Sequence, residues 1–139
     1  MEHLGKALID LFKQHRALLT KRLSVIGLFP GQDGLLFHLS TADGQTMSAL
    51  VEKMQIQHAT LFNMVERMVK AGLLKKVKDN TDLRTSIIYL TDKGRSKITE
   101  LRVVWKEMES LLSAGISATE RKTLIDLFKK LNTNISENL

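Results

Sequence analysis

No cysteine occurs in the 139 residues, which removes disulfides, thiolate metal sites and cysteine redox sensing together. Apolar runs are short, and none approaches the roughly 20 residues that a membrane span requires. The opening MEHLGKALIDLFKQH is charged and amphipathic, unlike the basic stub and apolar block of a secretory signal. A glycosylation sequon at Asn134-Ile135-Ser136 therefore carries no meaning, and the chain reads as cytoplasmic. Histidine is confined to His3, His15, His38 and His58, with no H-x-x-x-H pair. A zinc site would have to assemble in three dimensions with Asp or Glu, so neither a metal nor another cofactor is expected. There is also no glycine-rich phosphate loop, nucleophile elbow or paired carboxylate. The chain does not read as an enzyme.

What is present is ordinary in bulk and biased in charge. With 43% hydrophobic and 26% charged residues, the composition is that of a soluble globular protein. Its length suits one domain, since domains run to roughly 100–150 residues. Net charge is +6, with a pI near 9.7. Such an excess favours a polyanionic partner, nucleic acid first, through phosphate neutralisation. Many basic proteins bind nothing acidic, so the placement of the charges has to decide.

Periodicity predicts six helical segments and one hairpin. Leu4, Ala7, Leu8, Leu11, Phe12, His15, Leu18 and Leu19 recur at helical spacing over about 4–20. Pro30, the only proline, suits the first turn of a second helix. Leu35, Leu36 and Leu39 are its buried positions, and Asp43-Gly44 closes it. Thr46 is an N-cap for a short third helix, MSALVEKM. A tight turn at Gln55-Ile56-Gln57 leads to a fourth helix from His58, striped with Leu61, Met64, Val65, Met68 and Val69. Gly72 is placed to end it as a C′ residue.

Two strands then flank the turn Asp79-Asn80-Thr81-Asp82. Thr91 caps a long helix carrying Ile98, Leu101, Val104, Trp105, Met108, Leu111 and Leu112. Gly94 stands where a Glu would complete a capping box, so that cap is a simple one. Ser117 and Glu120 form a capping box before a last helix with Leu124, Ile125, Leu127, Phe128, Leu131 and Ile135.

This order is that of a mainly α protein with a small β-hairpin wing. It is a winged helix-turn-helix, core about 30–92, flanked by extra helices at about 4–20 and 93–136 within one domain, 1–139. The apolar stripes of the flanking helices need burial, and a second copy around a two-fold axis supplies it. They read as a dimerisation layer.

In the helix-turn-helix mode, the N-terminal turns of the fourth helix enter the major groove. Opposite its apolar stripe lie Ala59, Thr60, Asn63, Glu66, Arg67 and Lys70. His58, Thr60, Asn63 and Arg67 are thereby nominated to meet DNA. Asn can pair bidentately with adenine, and Arg with guanine or phosphate. Ala59 allows close approach or touches a thymine methyl, and Thr46 joins this set. Phe62 is either core or an apolar groove contact, and Glu66 is unfavourable near phosphate unless it pairs with a neighbouring base or cation. A solvated polar face on a core helix would look the same.

The hairpin adds a second signal. Lys75, Lys76 and Lys78 lead in and Arg84 leads out, so a projecting wing concentrates cations. An Arg there can enter the minor groove. Asp82 suits a brace that accepts hydrogen bonds from Arg84 or the turn amides. Solubilising an edge strand would need only lysines.

The motifs SALVEKM, AGLLKK, Asp82-Leu83-Arg84 and Leu90-Thr91-Asp92-Lys93-Gly94 resemble the core of the MarR family, the bacterial multiple-antibiotic-resistance type regulators. LFPGQDGLLFHL is similar to the family's second helix. Phe62 and Asn63 stand where the family often has a small hydroxyl residue and a basic one. Phe29 replaces the usual hydroxyl cap before Pro30.

The resemblance implies an obligate homodimer that binds double-stranded DNA at a pseudo-palindromic operator, with the wing Arg84 in the minor groove. It also implies repression relieved by a small ligand, for which an aromatic or phenolic effector is the expectation. His15, Arg16 and His38 are the residues nominated to face an effector cleft between the dimer layer and the DNA-binding lobe, while Trp105 reads as an inward-facing structural residue with lining that cleft as the alternative. The rival reading is a dimeric winged-helix adaptor that binds protein and never meets DNA.

Overall fold

Leucine at helical spacing builds most of the chain, and the computed structural model, which describes residues 2–139, contains six helices among them. The chain divides into two compact units, one reaching to Val104 and the other spanning Trp105–Leu139. In the first unit, α1 (Leu4–Val25) runs further than the 4–20 expected, because Leu23 is fully buried near its end. Its N-terminal half is bare, with Leu4, Ile9, Leu11 and Phe12 at least half exposed.

Helix α2 (Gln32–Thr41) corrects one expectation. Pro30 is not in its first turn but precedes it. The Gln32 N–H donates to the Phe29 carbonyl at 3.1 Å, and Gly31 has φ 95°. Proline followed by a residue of positive φ is the type II turn pattern, which needs glycine at its third position. Side chains reinforce the turn: Gln32 Oε1 accepts the Phe29 N–H and Asp33 Oδ1 the Gly31 N–H, each at 3.0 Å. Leu35, Leu36 and Leu39 are fully buried, as their spacing required.

A short strand unforeseen in the sequence, β1 (Gln45–Thr46), comes next. Helix α3 (Met47–Met54) follows, its amide at Ala49 donating to Thr46 Oγ1 at 3.1 Å. Helix α4 (His58–Lys70) buries Leu61, Val65 and Met68. Each such side chain contributes roughly 1.5–3 kcal/mol when fully buried. At its end the N–H groups of Gly72 and Leu73 donate to Val69 and Met68, with Gly72 at φ 79°; this is the Schellman arrangement. The chain is thereby turned directly into β2 (Leu74–Lys78).

Strands β2 and β3 (Ser86–Leu90) pair antiparallel, and β1 adds on the other side of β3, giving the order β1-β3-β2. Register places Leu74 opposite Leu90, Lys76 opposite Ile88 and Lys78 opposite Ser86. Asp43 fastens this sheet to the next helix. Its Oδ1 accepts the Leu90 N–H at 2.9 Å, and its Oδ2 meets Arg95 at 3.1 Å.

Helix α5 (Asp92–Leu112) starts with Thr91 as cap, its Oγ1 accepting the Gly94 N–H at 3.0 Å. A Cβ built on Gly94 would lie 2.2 Å from the Leu73 carbonyl oxygen. Glycine there lets the helix approach the backbone that leads into β2. Ile98, Leu101, Val104 and Met108 are buried, while Leu111 and Leu112 are nearly half exposed and Trp105 is only partly covered.

In the second unit, α6 (Ala118–Ser136) opens with the anticipated capping box. The Glu120 N–H donates to Ser117 Oγ at 3.1 Å, and Glu120 Oε1 accepts the Ser117 N–H at 3.0 Å. The apolar stripe of α6 contains no buried residue.

Candidate nucleic-acid interface

Three local choices expose the polar face of α4. Gln55, at φ 52° and ψ 45°, adopts the left-handed conformation, which turns the chain sharply between α3 and α4. Gln57 makes no side-chain cap, so the first-turn amides of α4 stay available to an outside acceptor. The apolar stripe faces the core, leaving His58, Ala59, Thr60, Asn63 and Arg67 exposed. Among the described residues, neither Asn63 nor Arg67 has a side-chain hydrogen bond or ion pair.

Two shallow grooves flank these residues. One, about 270 Å³, lies between α4 and the turn before α2, lined by Phe29, Pro30, Gln32, Thr60, Asn63, Met64 and Arg67. The other is lined by Asn63, Glu66, Arg67, Val69 and Lys70. Asn63 and Arg67 thus stand on the ridge between them. The Phe29–Gln32 turn was not among the nominated residues. A Pro-Gly pair is a turn signal that the first-turn reading of Pro30 passed over, and the contact with α4 is long-range and has no local signature.

The wing is ordered by two carboxylates. Asp79 Oδ1 accepts the Thr81 N–H at 3.0 Å and the Thr81 hydroxyl at 2.9 Å. Asp82 Oδ1 accepts the Arg84 N–H at 3.0 Å and Arg84 Nε at 3.3 Å, while its Oδ2 accepts the Thr85 hydroxyl at 3.3 Å. The Arg84 amide, then its guanidinium, hold the Asp82 carboxyl below its usual range. The Arg84 side chain is itself 94% exposed, so its position is set from one edge while its terminal nitrogens face solvent.

The three wing lysines differ. Lys75 Nζ lies 5.7 Å from the Tyr89 ring centroid. Lys78 Nζ reaches the Leu83 carbonyl only at 3.4 Å, a marginal bond. Lys76 Nζ stands 4.7 Å over the Phe62 ring and is ion-paired with Glu66. Phe62, 43% exposed, is thus neither core nor bare: it carries the lysine. Contacts of this kind at exposed sites contribute about 0.5–1 kcal/mol, enough to orient a side chain.

The remaining nominated residues lie apart. Thr46 Oγ1 is used as the α3 cap. His15 and Arg16 are on α1 and His38 is on α2, where its ring meets Phe37 edge-on at 5.4 Å. No hydrogen bond or ion pair among the described residues joins His15, Arg16 and His38. Among those residues no three His, Asp or Glu side chains are grouped to hold a metal, and no helix is long and apolar enough to cross a membrane.

Comparison with known proteins agrees with this geometry. The family model described as the MarR family matches residues 30–86, the span from the α2 turn to the start of β3. A Thauera aromatica protein named as a transcriptional regulator for the hcr operon is 27% identical over 135 residues, covering 97% of this chain and 80% of that protein. PcaV, a transcriptional regulator from Streptomyces coelicolor solved with its natural ligand, is 27% identical with a TM-score of 0.83, covering 94% of this chain and 92% of that one. A variant of MarR from E. coli, solved with operator DNA, shares the fold at a TM-score of 0.84 and 23% identity, covering 92% of each chain. Residues 30–86 thus match the MarR family, and the chain as a whole shares the winged helix-turn-helix fold of the solved transcriptional regulators it resembles.

Proposed function

We propose that this regulator binds a pseudo-palindromic operator in double-stranded DNA as a homodimer, acting in the cytoplasm by binding rather than catalysis. The observation that carries the reading is the ridge of Asn63 and Arg67, exposed on α4 and without a side-chain partner among the described residues, in a protein whose Arg84 is braced on a projecting wing. His58, Ala59 and Thr60 would enter the major groove with that ridge. Arg84 would reach the minor groove and Lys78 the phosphates. Thr46 can still donate its hydroxyl proton while its oxygen caps α3.

The apolar faces of α1 and of α6 are surfaces for a second copy. Leu4, Leu11 and Phe12 on one helix, and Leu127 and Ile135 on the other, are each about half exposed or more. Leaving such contiguous apolar faces to water is unusual for a monomer. Dimerisation would also match the two-fold symmetry of an operator with two half-sites.

The action is repression relieved by a small aromatic or phenolic ligand, and His15, Arg16 and His38 are the residues offered for its site. Support comes from PcaV, a relative solved with a natural ligand. A thermal-shift screen with aromatic acids tests this part; no stabilisation by any of them would count against it.

A gel shift with the DNA upstream of the gene, over a salt series, tests the whole. Phosphate-driven binding should weaken by about 0.9 log unit per phosphate contact for each log unit of salt. Absence of a shifted band at low salt would favour the protein-binding adaptor instead.

A further inference from the structure

Glu66 is an anomaly in a face offered to DNA. It lies between Arg67 and the aromatic Phe62 on α4, one helical turn from Phe62, where a carboxylate would repel phosphate. Lys76, on the first strand of the wing, is its ion-pair partner and also stands over the Phe62 ring. Both acceptors come from α4 and the cation from β2, so the contact bridges the helix and the wing. Lys76 is only 30% exposed in its side chain, against 94% for Arg84. A cation already satisfied by a carboxylate and a ring face has less to gain from phosphate.

We propose that Glu66 is a specificity-determining residue: it occupies Lys76 in place of phosphate and holds the wing root against the recognition helix. This inference rests on the DNA-binding reading above. Phosphate contacts carry no sequence information, and a free lysine here would raise affinity for every duplex alike. Withholding it leaves discrimination to the base-facing residues Asn63 and Arg67. Lys76 is then a positioning residue of the wing rather than one of its phosphate contacts.

The test compares the full-length wild type with Glu66→Gln, Lys76→Met and the double variant. Fluorescence anisotropy would follow binding to a duplex enriched from a random pool by the wild type, and to a scrambled duplex, across a salt series. Methionine keeps an apolar stem over Phe62, and an exposed ion pair adds little to folding, so all four proteins should fold.

Glu66→Gln should steepen the salt dependence by about 0.9 log unit per protomer and tighten the scrambled duplex several-fold. The ratio between the two duplexes narrows as a result. Lys76→Met should leave the wild-type slope unchanged, and the double variant should return to it. An unchanged slope in Glu66→Gln, or a slope reduced by Lys76→Met alone, overturns the proposal. A flat salt dependence in the wild type would instead remove the DNA-binding reading, and this inference with it.

Discussion

One oxygen of Asp82 holds Arg84 twice, accepting its backbone N–H at 3.0 Å and its Nε at 3.3 Å. The wing arginine is thus tethered to its own turn by the inner edge of the guanidinium. Its side chain is 94% exposed, so the outer nitrogens face solvent, which is what the proposed groove contact requires.

Arg84→Ala should weaken operator binding by about 1–3 kcal/mol while the dimer stays intact. The side chain is almost wholly exposed, so unfolding should change by less than about 0.5 kcal/mol. Anisotropy and urea titration on the same preparation separate the two effects. Unchanged affinity would sink the minor-groove role.

Asp82→Ala should also weaken binding, although it removes a negative charge. Tighter binding would mean that the carboxylate repels DNA instead of organising the tip. The pH dependence has a definite sign, because the folded carboxyl titrates below its usual 3.8. Its contribution to wing order is fully present above that value and is lost as pH falls through the lower folded pKa. The Arg84 amide resonance, followed by NMR, should therefore stay constant near neutrality and move only in acid.

Gly94→Ala pits two effects against each other. Alanine is favoured over glycine by about 1 kcal/mol in a helix interior. The new methyl would meet the Leu73 carbonyl oxygen at 2.2 Å, and relieving such overpacking costs about 1–3 kcal/mol. The contact is with backbone, which cannot rotate away, so net destabilisation is expected. A urea midpoint equal to or above wild type would refute it.

Removing residues 1–20 should leave a chain that aggregates or unfolds, since the apolar face of α1 would lose its part in the dimer. Sedimentation of the full chain should show a dimer. A well-behaved monomer after truncation would contradict the assignment of α1 to dimerisation.

Local chemistry was legible where a local rule governs it. The Thr46, Thr91 and Ser117 caps, the Gly72 stop and the buried leucines of α2 all stand as their spacing implied. Pro30 misled because the rule for proline in a first helical turn takes no account of the glycine after it. Strand β1 escaped notice because two residues carry no periodicity; they are a strand only because Ile87 and Ile88 lie beside them.

The order of the helices and the hairpin, the basic wing and the polar face of α4 follow from the sequence alone, since periodicity, capping and charge act over a few residues. The tertiary structure decided which of those charges face outward. Lys76 and Arg84 look alike in the sequence, yet folding sets Lys76 against Phe62 and Glu66 and leaves Arg84 projecting. Residues ten apart meet only because the Gly72 turn folds β2 back onto α4. That pairing depends on distance in space, which no local pattern encodes.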